Sequence, residues 1–273
     1  MFSILILTKN EECNISACLQ SVTWCDDVVV LDSFSTDLTC QIAESFNART
    51  YQHSFDDFGS QRNYALDHIP FKYAWVFHLD ADERFNNALT MECERVIIED
   101  RCSAFSVPNR IIFLNRWIKY STQYPYPQVR LLKVGEVRFI KAGHGQKEDH
   151  LLRGVGYIAV PYDHYNFSHG LAAWVQKHNH YSTEEAKSIY ENEAGTLLWS
   201  DLLSRDSLRR RRALKKLHSQ MPLRWLVKFF YLYILRGGFL DYYPGLAYCA
   251  LQGFYDLLIC IKLRELRESG CNR

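Results

Sequence analysis

Two carboxylates stand at the end of an apolar run and could hold a metal ion. The run Trp75–Leu79 is typical of a buried strand, and Asp80 and Asp82 come at its end. Because side chains alternate along an extended chain, residues two apart project from the same face. Two carboxylates on one face can hold a hard divalent cation, which in turn can hold a diphosphate. An acidic turn in water is the alternative that this pair alone leaves open.

Strand-like and helical segments alternate through the first ninety or so residues. This alternation predicts an α/β fold with a doubly wound, mostly parallel sheet. Ligands bind such sheets at the carboxyl ends of the strands, where the acidic pair lies. The predicted strands are Phe2–Leu7, Asp27–Asp32, Arg49–Tyr51 and Trp75–Leu79, and the predicted helices are Glu11–Val22, Thr36–Phe46 (capped by Ser35 or Thr36) and Asp57–Ile69.

The pattern changes twice beyond the acidic pair. Cys102–Tyr165 holds short β-like pieces and predicts mixed or antiparallel strands that complete the sheet; a helical pattern follows. We therefore predict an α/β domain over 1–168 and a helical C-terminal region over 169–273. The β-like pieces are Ala104–Val107, Ile111–Leu114 and Val129–Val134, and the helical segments are Leu171–Glu193 and Pro222–Leu263.

Composition excludes several classes of protein. Hydrophobic residues make up 48% and charged residues 23% of the chain, which is globular rather than disordered. A net charge of +1 argues against a nucleic-acid partner. The nine cysteines are odd in number and contain no C-x-x-C pair, so neither a zinc site nor a disulfide framework is expected, and a reducing cytosol is. The chain starts directly in a strand-like run, so no secretory signal is expected.

The C-terminal region predicts contact with a membrane surface. Charged residues interrupt Pro222–Leu263, and its longest uncharged stretch, Tyr242–Tyr255, is shorter than the ~18 residues that a spanning helix needs. We expect helices in the membrane interface, with the basic segment Arg205–Lys216 and its core Arg209–Arg212 facing lipid head groups. The protein would then be cytoplasmic and peripheral to the inner face of the cell membrane. A helical subdomain packed on the core, or an oligomer contact, is the alternative.

Polar turns follow the predicted strands. Thr8-Lys9-Asn10-Glu11 follows the first strand and Asp32-Ser33-Phe34-Ser35-Thr36-Asp37 the second, while Gln61-Arg62-Asn63 lies in the helix before the acidic pair. Asp32 could accept a hydrogen bond from a ribose or a base, and the guanidinium fork of Arg62 matches phosphate oxygens. No dinucleotide fingerprint or P-loop is present. Each turn taken alone is equally consistent with ordinary capping.

The ordered set of these motifs resembles the family 2 glycosyltransferases. The order is strand, T-K-N-E-E, helix, strand, D-S-F-S-T-D, helix, G-S-Q-R-N, strand, L-D-A-D-E. The resemblance extends over the first 170 residues, and more loosely to Gly237–Asp241 in the tail. It implies a GT-A fold and inversion at the anomeric carbon. Within the family the chain is similar to the lipopolysaccharide-core β-glucosyltransferases.

The resemblance assigns a role to each motif. Asp82, together with Asp80, would bind Mg²⁺ or Mn²⁺ that bridges the diphosphate of a nucleotide sugar. Trp117, Tyr124, Tyr126 and Arg130 would contact the acceptor, with Tyr120 beside the three aromatic residues. Arg130 could instead reach the diphosphate, and simple core packing is the alternative for the aromatic residues. The remaining donor-site residues would be Thr8, Asn10, Glu11, Asp32, Ser33, Ser35, Arg62, Asn63, Asp80 and Ala81.

The general base is expected in Gly143–Asp149. The resembling glucosyltransferases have V-H-E here, but in this chain Gly145 follows His144 and the next acids are Glu148 and Asp149. An inverting transferase needs a carboxylate to take the proton of the acceptor hydroxyl, and we prefer Glu148, with Asp149 as the rival. His144 would bind the acceptor or lie near the phosphates, unless it is simply a packed or solvent-facing histidine.

The sequence as a whole thus predicts a metal-dependent transferase. It would move a hexose, with a UDP-sugar favoured as donor, to a hydroxyl of a glycan in cell-surface polysaccharide or lipopolysaccharide synthesis, and we expect this glycan to be lipid-linked. A nucleotidyltransferase is one alternative, although the first turn lacks the glycines that a triphosphate loop uses. A catalytically inactive, membrane-associated scaffold is the other.

Overall fold

The structure is a computed structural model that describes residues 1–142, 145–191, 204, 206, 210, 221 and 223–271. The chain forms two compact units. The first combines Met1–Trp117 with Gln123–His169, and the second combines Ile118–Thr122 with Gly170–Arg273.

The first unit is built on a mixed sheet whose N-terminal half is parallel. Strand β1 pairs with β2 on one side and β4 on the other, and β3 pairs with β2, all in parallel. Strands β1, β2 and β4 are nearly continuous apolar runs, as is typical of parallel strands buried on both faces, whereas the edge strand β3 is polar. The predicted α/β class with a parallel sheet is confirmed. The elements are β1 (Ser3–Thr8), α1 (Glu12–Gln20), β2 (Val28–Asp32), α2 (Thr39–Ser45), β3 (Arg49–Gln52), α3 (Phe58–His68) and β4 (Trp75–Asp80).

The second half of the sheet is mostly antiparallel. The full order is β3-β2-β1-β4-β8-β6-β12-β5, with β7 and β11 also paired to β6, and β9 and β10 form a separate hairpin. Strand β8 is antiparallel to both β4 and β6. The elements are β5 (Glu83–Arg84), α4 (Asn87–Glu99), β6 (Ala104–Phe113), β7 (Arg116–Trp117), β8 (Pro127–Lys133), β9 (Val137–Ala142), β10 (Gly145–Leu151), β11 (Val155–Tyr157) and β12 (Tyr162–His164).

Two predicted boundaries are wrong. The two β-like pieces at 104–107 and 111–114 form one strand, β6, because β8 pairs with its first half while β12 and β7 pair with its second half. Helix α2 begins at Thr39 and not at Thr36. The N–H of Thr36 is instead bound to the side chain of Asn10, which holds the preceding residues in a loop.

The second unit is helical in its described parts. It contains α5 (Gly170–Glu191), α6 (Arg224–Phe230), a π-helical turn (Tyr231–Leu235), a 3₁₀ turn (Gly238–Asp241) and α7 (Tyr242–Cys271). Ala186 of α5 packs on Ile259 and Leu263 of α7. The buried carboxylate of Asp241 accepts hydrogen bonds from the backbone N–H groups of Lys119, Tyr120 and Ser121, at 2.7–3.2 Å, and so fixes that short segment.

One described helical stretch, Gly238–Ser269, is long and apolar enough to cross a membrane by length and composition. The core helix of a soluble protein can satisfy the same criterion. The sequence-based prediction that this region does not span a membrane therefore stays a prediction.

Candidate active site

Asp80 ends β4 between two buried guanidinium groups. Its Oδ1 lies 3.3 Å from Nη2 of Arg62 and its Oδ2 lies 2.9 Å from Nη2 of Arg130. Burial alone would raise the pKa of Asp80, but these two guanidiniums hold it well below its usual range. Asp80 is therefore a permanent anion whose two oxygens are both engaged.

Glu83 is the second acid in this network. Its Oε1 accepts from Nη2 of Arg130 at 2.6 Å, and its Oε2 accepts from the backbone N–H of Asp80 at 2.8 Å. The side chain is fully buried, and burial raises the pKa of Glu83 to about 7 in spite of the neighbouring Arg130. The Nε of Arg130 also donates to the hydroxyl of Tyr162 at 3.0 Å. The guanidinium of Arg130 thus holds the acidic turn from the buried side. Its predicted contact with the acceptor or the diphosphate stays a prediction.

Asp82 faces a histidine from a distant part of the chain. The Nε2 of His164 lies 3.2 Å from Oδ2 of Asp82. Strand β12 places it there, because His164 pairs with Glu83 of β5 in an antiparallel register. Burial would lower the pKa of His164, but Asp82 and other nearby acids raise it to about 9. The pair is an ion pair at neutral pH.

The loop after β1 and the loop after β2 are locked together at the same edge of the sheet. Asp32 is fully buried, and its Oδ1 accepts from Thr8 Oγ1 at 2.9 Å while its Oδ2 accepts from the N–H of Ser35 at 2.8 Å. Burial would raise the pKa of Asp32, but these hydrogen bonds hold it below its ordinary value. Asn10, at φ +56°, donates its N–H to Ser35 Oγ at 2.8 Å and accepts from the N–H of Thr36 at 2.9 Å. The structure thus brings Thr8, Asn10, Asp32 and Ser35 together as a hydrogen-bonded frame.

Glu11 lies beside this frame in a second polar group. Its Oε2 accepts from Asn14 Nδ2 at 2.7 Å and lies 3.0 Å from Nε2 of His169. Its backbone N–H donates to Thr39 Oγ1 at 2.8 Å. The side chain is part-exposed, so its carboxylate is available to a ligand at this edge.

Helix α3 supplies the polar residues behind the acidic turn. The guanidinium of Arg62 lies 2.9 Å from Nδ1 of the buried His78 as well as beside Asp80. Gln61 donates to Ser33 Oγ at 3.1 Å, which places Ser33 in a buried contact. The side-chain amide of Asn63 donates to the carbonyl of Phe139 at 2.8 Å and accepts from the Phe139 N–H at 3.0 Å, so it joins α3 to β9. The predicted position of Asn63 on the diphosphate side stays a prediction.

The two candidate bases lie on β10 of the β9–β10 hairpin. Glu148 is directly opposite Phe139, and Asp149 falls at the irregularity between Glu148 and His150. The ring of Phe139 lies 5.8 Å from the ring of His78, which is two residues before Asp80. The hairpin is thus placed beside the strand that carries the acidic pair. His144 lies outside the described residues, and its predicted role stays a prediction.

The remaining predicted site residues are Ala81 and the aromatic residues between Trp117 and Tyr126. Ala81 is buried in the core of the first unit, and its carbonyl accepts from Arg84 Nη1 at 2.9 Å. Trp117 and Tyr124 contact each other edge to face at 5.2 Å, and Tyr126 is exposed. Tyr120 belongs to the second unit. Acceptor contact by these aromatic residues stays a prediction.

The side chains at the acidic turn could hold a divalent cation through Asp82 and His164. Among the described residues, no group of three or more His, Cys, Asp or Glu side chains is arranged to hold a metal. Asp82 and His164 are two donors facing one another, and Mg²⁺-type sites usually add phosphate oxygens and water to one or two protein ligands. Both oxygens of Asp80 are already in ion pairs with arginines, and its predicted part in metal binding stays a prediction. Asp82 would thus hold the ion, with His164 joining it once its proton has left.

A comparison with known protein families identifies the family of this chain. The family model described as Glycosyl transferase family 2 matches residues 3–145, which is more than half of the chain. The chain belongs to glycosyl transferase family 2. The GT-A fold that the resemblance implied is confirmed, with the parallel strands β1–β4 followed by the antiparallel β8 and with a long C-terminal helix.

Curated relatives of this family 2 chain are remote. The lipopolysaccharide core biosynthesis glycosyltransferase LpsC of Rhizobium meliloti is 27% identical over 150 residues, which cover 53% of this chain and 52% of that protein. An uncharacterized glycosyltransferase of Rickettsia typhi is 28% identical over 205 residues, covering 68% and 67% of the two chains. The chain thus spans about half the length of the Rhizobium relative.

Solved structures show a similarly distant likeness. Residues 1–349 of S. aureus TarS match at 16% identity and a TM-score of 0.42, over 98% of this chain and 91% of that one. The glucosyl-3-phosphoglycerate synthase of Mycobacterium tuberculosis with Mn²⁺, UDP-glucose and phosphoglyceric acid matches at 18% identity and a TM-score of 0.35, over 41% and 44%.

Sequence reasoning missed Glu83 and His164 as members of the site. Glu83 stands next to Asp82 in the motif itself, and its burial was the missing information. His164 lies 82 residues from Asp82, and only the pairing of β12 with β5 connects them. A histidine at the end of a short strand gives no sign of that pairing in the sequence.

Proposed function

We propose that the protein is an inverting, metal-dependent glycosyltransferase that moves a hexose from a nucleotide diphosphate sugar, with UDP-sugars favoured, to a hydroxyl of a glycan. The observation that carries the proposal is the geometry of the acidic turn in a family 2 chain. Asp80 is fixed as an anion by Arg62 and Arg130, while Asp82 is presented at the carboxyl edge of the sheet opposite His164.

Two groups of residues would bind the donor, one at the nucleotide and one at the diphosphate. The frame of Thr8, Asn10, Asp32 and Ser35 would form the floor of the nucleotide pocket, and Glu11 would supply an acceptor for ribose or base hydroxyl and N–H groups. Asp82 and His164 would hold Mg²⁺ or Mn²⁺. When bound, that cation would neutralise negative charge on the departing diphosphate.

Glu148 would act as the general base. Its carboxylate would take the proton of the acceptor hydroxyl while that oxygen attacks the anomeric carbon from the face opposite the diphosphate. In an antiparallel pair, directly opposite residues project from the same face. Glu148 therefore shares its face of the hairpin with Phe139, which is the face directed toward His78 and Arg62. Asp149, at the irregularity, does not have this registered position.

The acceptor that we propose is a lipid-linked glycan of a cell-surface polysaccharide or lipopolysaccharide. The name of the Rhizobium relative supports this class of acceptor. The protein would then work at the cytosolic face of a membrane. The basic segment Arg205–Lys216, which the sequence predicts to face lipid head groups, lies largely outside the described residues.

A donor screen tests the proposed reaction. Purified protein with Mg²⁺ or Mn²⁺ is offered UDP-, GDP-, ADP- and dTDP-sugars, and nucleotide release is measured. Release from a UDP-hexose, lost on chelation with EDTA, is the expected result. Release from another nucleotide sugar alone would contradict the UDP preference, and release that survives EDTA would contradict the metal dependence.

Donor binding can be measured without turnover. UDP with Mn²⁺ at about a hundred times its dissociation constant should stabilise the native state by about 2.7 kcal/mol, which a melting-temperature shift reports. Asp82→Asn should remove most of this shift, because it removes the charge that holds the cation. Asp56→Asn, a change of the same kind at an exposed position, is the matched control and should retain it. A wild-type protein that gains nothing from any nucleotide diphosphate would instead be an inactive scaffold.

A further inference from the structure

The segment Leu223–Leu246 of the second unit has an inverted distribution of polarity. All of its residues are described, and every exposed one among them is aliphatic or aromatic; Leu235 at 79% and Tyr243 at 71% are the most exposed. A water-facing helical segment normally shows charged side chains there. The exposed residues, which we call the apolar face, are Leu223, Val227, Phe230, Tyr231, Ile234, Leu235, Phe239, Leu240, Tyr242, Tyr243 and Leu246.

The charged residues of the same segment are turned inward. Arg224 and Asp241 are buried, and Asp241 is enclosed by the backbone N–H groups of residues 119–121. Lys228 pairs with Asp256 of α7 at 3.3 Å, and Arg236 donates to the carbonyl of Thr122 at 3.2 Å. The charged residues of the segment are therefore buried or only partly exposed, and its exposed side chains are large and apolar.

The apolar face lies on a helical hairpin. Gly237, at φ +79°, reverses the chain between α6 with its π-helical turn and the 3₁₀ turn that leads into α7. The two arms pack closely, since a Cβ placed on Gly253 of α7 would lie 3.2 Å from the carbonyl of Trp225 of α6. Leu235 and Phe239 stand on either side of the reversal, so the tip of the hairpin is apolar.

We propose that the apolar face inserts into the acyl region of one leaflet of a lipid bilayer, with the hairpin as a wedge that does not span it. Patches of exposed apolar residues on this scale mark binding surfaces. A protein interface carries a polar rim with about one hydrogen bond per 100–200 Å². Between Leu223 and Leu246 no charged side chain is exposed, and the exposed polar groups of side chains are the hydroxyls of three tyrosines. The tyrosines at 231, 242 and 243 are of the type enriched at the membrane–water boundary.

The helix that follows supports lipid as the occupant. Gly238–Ser269 is apolar enough to cross a membrane, but only 28% of its most apolar 18-residue window is buried inside the protein. Most of that window is thus not covered by the described packing of α7 on α5. Insertion of this kind is driven by burial of apolar area and not by charge, which separates it from head-group binding by Arg205–Lys216. It is also independent of the proposed transferase activity.

The test is flotation of the full-length protein with vesicles of pure phosphatidylcholine in about 1 M NaCl, where the Debye length is about 3 Å and exposed charges are screened. The wild-type protein is expected to float with the vesicles. The variant Leu235→Ser/Phe239→Ser should lower the partition coefficient tenfold or more, because each buried side chain of this size favours the apolar phase substantially. Met91→Ser/Ile98→Ser removes two comparably exposed apolar residues of α4, at 69% and 84%, and should float like the wild type.

Three results would overturn the proposal. Flotation only with anionic vesicles, or its loss at high salt, would assign binding to the basic segment. Equal flotation of the two double variants would remove the role of the hairpin tip. A dimer in sedimentation that Leu235→Ser/Phe239→Ser dissociates, without vesicle binding by the wild type, would make a second copy the occupant. The UDP melting shift of Leu235→Ser/Phe239→Ser should equal that of the wild type, so failure here is distinguishable from failure of the transferase proposal.

Discussion

Arg130→Met is expected to lower the free energy of unfolding by about 3–5 kcal/mol, the cost of removing one partner of a buried ion pair. The substitution keeps much of the side-chain volume but removes the cation that contacts Asp80, Glu83 and Tyr162. Asp80 retains Arg62 and is part-exposed, whereas Glu83 is fully buried and loses its only cationic partner at hydrogen-bond distance among the described residues. The loss falls chiefly on Glu83.

The pH dependence of this loss has a definite sign. The pKa of Glu83 is raised to about 7 even beside Arg130, so its proton binds more tightly in the folded than in the unfolded state. Without the guanidinium that pKa rises further, and the variant can keep Glu83 neutral at pH 5.5 but must bury its charge, or bind a proton from solution, at pH 8. The destabilisation should therefore be larger at pH 8 than at pH 5.5, as measured by urea unfolding at both values.

Arg138→Met is the matched control for Arg130→Met. Arg138 lies 2.6 Å from Asp67, but both side chains are well exposed. Such pairs contribute about 0–1 kcal/mol, so this variant should unfold close to the wild type at either pH. Equal losses for the two variants would show that the buried network has no special weight in the stability of the fold.

The sequence was informative where local pattern decides the structure. Strands β1, β2 and β4 are apolar runs of the kind that the parallel half of the sheet requires. The abrupt change of polarity at the end of β4 indicates the acidic pair. Helix α2 shows where local pattern failed. At its expected start, the N–H of Ser35 is bound by the nearby Asp32 and the N–H of Thr36 by the distant Asn10. These two hydrogen bonds to side chains override the helical pattern.

The network around Arg130 could not be predicted for a different reason. An arginine 50 residues from Asp80 could face an acceptor, a phosphate or the core. Its apolar sequence neighbours, Val129 and Leu131, do not distinguish these three positions. Its position follows from the antiparallel pairing of β8 with β4, which places it behind the acidic turn. The same holds for His164, which β12 brings to Asp82. In both cases strand order, and not residue type, decides the role.

Glu148→Gln is expected to lower turnover by about a hundredfold or more, the usual loss when a general base is removed, while leaving the UDP melting shift unchanged. Glutamine keeps the size and the hydrogen-bonding reach of the side chain but cannot take the proton of the acceptor hydroxyl. Donor binding should be spared, because it depends on Asp82 and on the frame around Asp32. The measurement is transfer to a glycan acceptor under saturating donor, with nucleotide release as the readout.

Asp149→Asn serves as the matched comparison one residue away. Because Glu148 is registered opposite Phe139, on the hairpin face that meets His78 and Arg62, it has a defined position toward the acidic turn that the exposed Asp149 lacks. We expect Asp149→Asn to change turnover by less than a few-fold. If Asp149→Asn abolishes transfer while Glu148→Gln retains it, the base is Asp149 and the register argument is wrong. If both variants turn over normally, the base lies outside this hairpin strand altogether, and the assignment carried over from the family fails at this position.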